Sequence, residues 1–147
     1  MSVLWPVLWL QAAHVRRVTP RMPEPPGSRA GTAECGPPLR LLVAGDSGAA
    51  GVGAPTQEQA LCGQLVRCLG AHHTVEWCVL AVNGLNSAGL LQLLQDAPSA
   101  RFDVVVLSIG SNDATALLSP LKWAHWQHRL AELINRRFAP ALLIHSA

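Results

Sequence analysis

The chain has 147 residues, half of them hydrophobic and 14% charged, with a formal net charge of +2. That length suits one domain and that composition can fill a core, which excludes a disordered or fibrous protein. Its lysines and arginines are scattered or paired, not gathered into a basic stripe with interleaved aromatics, so no nucleic-acid partner is expected.

Met1 to Ala13 is apolar and rich in tryptophan, with Val3, Leu4, Trp5, Val7, Leu8, Trp9 and Leu10. It is shorter than the ~20 residues a spanning helix needs, and Pro6 is expected to interrupt it. Arg16 and Arg17 follow the apolar run, whereas a secretory signal carries its positive charge before it. Two readings stand: an interfacial anchor giving peripheral membrane contact, or a segment packed on the domain or without order. From Thr19 to Pro38 proline and glycine dominate, so regular structure is not expected and residues 1–38 read as an arm. The globular domain is expected from 39 to 147.

Leu41-Leu42-Val43-Ala44 is an apolar run that suits a strand covered on both faces, and it opens into Gly45-Asp46-Ser47 and further glycines. Thr56 to Gln59 matches a capping box, and Leu61, Leu65 and Leu69 repeat at helical spacing, which predicts a helix over 57–69. Thr74 to Val82 reads as a second strand ending at Asn83-Gly84. Asn86 or Ser87 then caps a helix carrying Leu90, Leu91, Leu93 and Leu94. Phe102 to Ile109 holds Val104-Val105-Val106-Leu107, a third strand that opens into Gly110-Ser111-Asn112-Asp113. Ser119-Pro120 starts a helix to about Phe138, and Ala141 to His145 reads as a fourth strand. Connections too long for hairpins predict a parallel sheet with right-handed crossovers.

Cys35, Cys62, Cys68 and Cys78 form no C-x-x-C pair and no zinc-ligand spacing. Cys62 and Cys68 lie about 9 Å apart along one predicted helix, beyond disulfide reach. Reduced thiols fit a cytoplasmic, reducing compartment, with membrane association through the N-terminal segment as a further expectation.

Three polar, glycine-containing turns thus follow three consecutive strands, and in a parallel sheet they share one edge, where α/β ligands bind. Acyl transfer needs a nucleophile and donors aimed at the developing oxyanion. Ser47 suits the first role; its own backbone N–H, that of Gly84 and the Asn112 side-chain amide suit the second.

Gly45-Asp46-Ser47, Gly84 and Gly110-x-Asn112-Asp113, in this order and each at a strand end, resemble the first three blocks of the SGNH, or GDSL, hydrolases. The resemblance covers about Leu39 to His145. It implies a flavodoxin-like three-layer α/β/α sandwich with a parallel sheet, apparently lacking its last strand and helices. It also implies a serine esterase, thioesterase or lysophospholipase that acts through an acyl-enzyme on Ser47. A small-molecule acyl ester or lysolipid is the implied substrate, with no metal or organic cofactor. The family's fourth block, Asp-x-x-His, occurs nowhere in the sequence, so impaired or absent turnover is expected. His145 ends the fourth strand, two positions from the first in the family's strand order and so roughly 10 Å from Ser47, too far to replace the missing base.

Blander roles are also open. Ser47 can simply cap its turn, Asn112 can brace a loop, and Asp46 and Asp113 can hold backbone N–H groups. Trp123 and Trp126 fit helix packing better than an acyl-chain site. A non-catalytic truncated remnant or binding protein, whose exposed fourth strand invites association, is the alternative from another class. A nucleotide-binding α/β domain is the minor alternative, weakened by the lack of G-x-G-x-x-G and of an acidic residue after the second strand.

Overall fold

The computed structural model describes residues 5–18, 20, 22–33 and 36–146; Cys35 lies outside them. In chain order the elements are α1 (Trp5–Val18), β1 (Ala30–Ala33), β2 (Pro38–Gly45), α2 (Ser47–Ala50), α3 (Leu61–Leu69) and β3 (Thr74–Ala81). They continue with α4 (Ser87–Asp96), β4 (Val104–Ser108), α5 (Ser111–Thr115), α6 (Pro120–Phe138) and β5 (Leu142–Ser146). The five strands form one sheet in the order β1-β3-β2-β4-β5. Strands β3, β2, β4 and β5 run parallel, as the long connections required.

Alternation along the central strand creates the layers. Leu42 and Ala44 of β2 join Val105 and Leu107 of β4 in a core closed by Leu90 and Leu94 of α4 and Leu130, Ile134 and Phe138 of α6. Leu41 and Val43 point the other way, onto Ala49, Ala50 and Cys62 of α2 and α3. A strand buried on both faces needs apolar side chains at successive positions, which explains the unbroken Leu41–Ala44 run. Phe138 and Phe102 meet edge to face, 5.7 Å between centroids.

Three expectations need correction. The arm is not irregular throughout: β1 adds to the sheet antiparallel to β3, pairing Gly31 with Trp77, so the sheet is mixed. A Cβ at Gly31 would lie 2.6 Å from the Trp77 ring, so a larger residue there would have to displace that ring. The proposed capping box does not cap. Helix α3 starts at Leu61 behind Ala60, which makes no side-chain cap. Gln57 is buried instead, its amide donating to the carbonyls of Ala50 (3.0 Å) and Pro25 (3.4 Å). Finally, Pro6 does not break the N-terminal segment: it sits in the first turn of α1, where its missing N–H costs no helical bond. No described helix is long and apolar enough to cross a membrane.

The helix starts followed the sequence more closely elsewhere. The Asn86 side chain accepts from the Gly89 N–H at 2.8 Å, and Ser119 caps α6 with Pro120 at its first position. At the far edge, β5 pairs only with β4 among the described residues, and Leu142 and Ile144 are exposed.

Candidate active site

Ser47 owes its position to the turn that follows β2. Gly45 adopts φ +153°, and a Cβ there would fall 1.8 Å from the Ser108 carbonyl oxygen, so β4 crosses at a distance only glycine permits. The Asp46 N–H donates to that same carbonyl at 3.0 Å, turning the chain out of the sheet and into α2. Asp46 itself is buried, and its Oδ1 accepts from the Gly48 N–H at 3.1 Å. Ser47 is thereby left at the head of α2, half-buried at the carboxyl ends of the parallel strands.

The turn after β4 closes against it. The Ser111 hydroxyl donates to Asp46 Oδ2 at 2.8 Å, and Asn112 Nδ2 approaches the same oxygen at 3.5 Å. The Asn112 amide donates more firmly to the Leu85 carbonyl, at 2.9 Å. The amide is therefore held mainly by the Leu85 carbonyl, with only a long contact to Asp46. Asp113 turns away into the interior, accepting the Ser87 N–H at 3.1 Å and the Ser87 hydroxyl at 2.5 Å, with Gln127 donating to that hydroxyl at 2.8 Å. That carboxylate ties α5 to the start of α4.

Gly84 stands between these turns at φ +83°, exposed, with open space where a Cβ would be. Its loop is held from an unexpected quarter. The Asn83 N–H donates to Glu24 Oε1 at 2.7 Å and the Asn83 amide donates to the Met22 carbonyl at 2.8 Å. Arg29 pairs with Glu24 at 3.0 Å and donates to the Ala81 carbonyl.

Ser47, Gly84 and Asn112 line one cleft of about 520 Å³ together with Val15, Pro20, Met22, Val52, Asn83, Asn86 and Thr115. The residues that the sequence singled out for one reaction therefore share one cavity. None of the described histidines lines it. His145 is opposite Leu107, itself opposite Ala44, so it lies two strands from β2 and three residues short of Ser47 in register. His128 instead faces Glu132, 3.2 Å away on the exposed side of α6.

The chain's similarity to known proteins follows the same strand ends. A model of the GDSL-like lipase/acylhydrolase family matches residues 43–144. The chain belongs to this family. No curated protein matches it. Among solved structures, it is similar to AlinE4, an SGNH-hydrolase family esterase, at 24% identity and a TM-score of 0.65, over 76% of this chain and 60% of that one. A lipolytic G-D-S-L family protein from Veillonella parvula gives 17% identity and a TM-score of 0.57, over 72% and 56% of the two chains. TesA gives 27% and 0.52, over 67% and 53%. The chain thus spans 53–60% of the length of these three structures.

In the glycine-rich turn the Gly48 N–H is taken by Asp46 and the Gly51 N–H by the Gly48 carbonyl at 3.2 Å, so these two glycines hold the turn itself. Trp126 packs against the core, and Trp123 lines a separate cavity of about 400 Å³ beside Gly110 and Leu118. Sequence reasoning missed three supports of the site: Ser111 on Asp46, the Leu85 carbonyl on Asn112, and Glu24 on the Gly84 loop. Each joins residues distant in the chain; only the polar character of the turns hinted at them.

Proposed function

We propose that the protein hydrolyses carboxylic ester or thioester bonds by a serine mechanism. Ser47 Oγ attacks the acyl carbon, and the carbonyl electron pair moves onto oxygen. The backbone N–H groups of Ser47 and Gly84 and the Asn112 amide receive that oxyanion. Collapse expels the alcohol or thiol, which takes a proton, and leaves an acyl group on Ser47; water then releases the acid by the same addition and elimination. The observation that carries this reading is the shared cleft of Ser47, Gly84 and Asn112 at the sheet's carboxyl edge. Val15, Met22 and Val52 offer an apolar wall to the acyl chain, and Asn83, Asn86 and Thr115 offer polar groups to the remainder of the substrate.

The reaction also needs a group to accept the Ser47 proton. With no described histidine in the cleft, the chain alone is expected to turn over about 10⁴ to 10⁶ more slowly than with a complete triad. Its oxyanion donors still act in that regime. A fluorophosphonate ester should phosphonylate the wild-type serine slowly, with loss of fluoride, and spare Ser47→Ala entirely. Asn112→Ala should slow the reaction by about 10²-fold, the cost of one oxyanion donor. Labelling of Ser47→Ala at the wild-type rate would refute the assignment.

A further inference from the structure

The arm does more than lead into the domain. All seven side chains described on α1 (Val7, Leu8, Leu10, Gln11, His14, Val15 and Val18) are exposed. At 100° per residue they occupy one arc of about 160°. The five aliphatic ones are each 49–61% exposed, and no carboxylate lies among the seven. This is an outward apolar face on a helix that contributes Val15 to the cleft holding Ser47. Pro20 and Met22, just past the helix, line the same cleft, and Met22 and Glu24 are bonded to Asn83 beside Gly84. The apolar face and the mouth of the cleft are therefore joined through one stitched segment.

Charge says what would cover such a face. Residues 1–23 contain Arg16, Arg17 and Arg21 and no acidic residue, whereas the remaining chain carries eight lysines and arginines against nine carboxylates. The whole positive excess belongs to the arm. A protein partner with an apolar groove would match the aliphatic side chains alone; an anionic phospholipid surface matches both features, taking the aliphatic side chains below its headgroups and attracting the net positive charge of the arm.

We propose that α1 docks on an anionic phospholipid surface and holds the Ser47 cleft open to it, so that the esters which reach the cleft are carried by lipid. The lipid-borne substrate rests on the reading of Ser47 given above; the docking does not. The test is flotation with vesicles of phosphatidylcholine alone and of phosphatidylcholine mixed with phosphatidylserine. The chain should bind the mixed vesicles, more weakly as salt rises. The double variant Leu8→Asp, Leu10→Asp, altered away from the cleft, should bind roughly a hundredfold less, because two leucines no longer enter the apolar layer. Its melting temperature and its fluorophosphonate labelling in solution should match wild type. Ser47→Ala should float as wild type does. Absence of binding to mixed vesicles, equal binding to both vesicle types, or undiminished binding of the double variant would each overturn the docking. So would a wild-type dimer in solution that the double variant abolishes, if no vesicle binding accompanies it. Flotation without Ser47 labelling would leave the docking standing and refute the nucleophile.

Discussion

At the ends of β2 and β4 two turns use nearly the same residues, Gly45-Asp46-Ser47 and Gly110-Ser111-Asn112-Asp113, and put them to different ends. Both open on a glycine at positive φ, +153° and +135°. In the first, the carboxylate precedes the serine, caps its own turn through the Gly48 N–H and leaves Ser47 lining the cleft. In the second, the serine comes first and is consumed as a donor to Asp46, while the carboxylate two residues later is buried against Ser87. Order within a turn, not composition, separates a serine that lines the cleft from one that braces a neighbour.

The glycines give the largest contrast. In Gly45→Ala the new Cβ would meet the Ser108 carbonyl at 1.8 Å, so β2 and β4 must separate; a loss of about 4 kcal/mol or more is expected, enough to leave little folded protein. In Gly110→Ala the nearest atom is Trp123 Nε1 at 3.3 Å, which need give by only a few tenths of an ångström, so the strained backbone is the main opposition, at about 1–2 kcal/mol. Urea denaturation of the pair measures the difference, and equal losses would contradict the close crossing at Gly45.

The carboxylates come next. Asp113→Ala strands two buried Ser87 donors, and about 2–3 kcal/mol should be lost in the same denaturation experiment. Ser111→Ala removes a single donor from Asp46, so about 1 kcal/mol is expected, together with slower fluorophosphonate labelling of Ser47 as the two turns loosen. Loss of labelling equal to that of Ser47→Ala would mean that Ser111 takes part in the chemistry.

The smallest effect lies behind the first turn. Burial, with Cys78 nearby as a lesser cause, pushes the Cys62 thiol from 9.0 up to about 11. The unfolded chain then loses this proton at lower pH than the folded one, so stability is complete below pH 9 and declines as pH rises toward 11. The decline should reach about 1 kcal/mol by pH 10. Thermal melts of wild type and Cys62→Ala across that range check it: the variant's curve should be flatter.

Much of this arrangement was legible in the sequence because the four parallel strands carry strong local signals. Leu41–Ala44 and Val104–Leu107 announce burial on both faces, and Ser119-Pro120 announces α6. Strand β1 was not legible: Ala-Gly-Thr-Ala has weak strand propensity, and its place depends on the Trp77 ring lying over Gly31, 46 residues later in the chain. The helix start misread at Gln57 has the same origin, since that side chain is drawn inward by the Ala50 and Pro25 carbonyls rather than used at a helix end. Ser47, Gly84 and Asn112 could be named because each lies in the turn that follows a strand. Their fixing to one another could not, because Ser111, Leu85 and Glu24 reach them only after the sheet has formed.

The most direct test of the account is to map where a fluorophosphonate adduct resides, by peptide mass spectrometry after prolonged exposure of the folded chain. The adduct should lie on Ser47, with Ser111 unmodified. An adduct on Ser111, equal modification of both serines, or none on Ser47 would contradict the division of labour between the two turns, and with it the assignment of Ser47 as nucleophile.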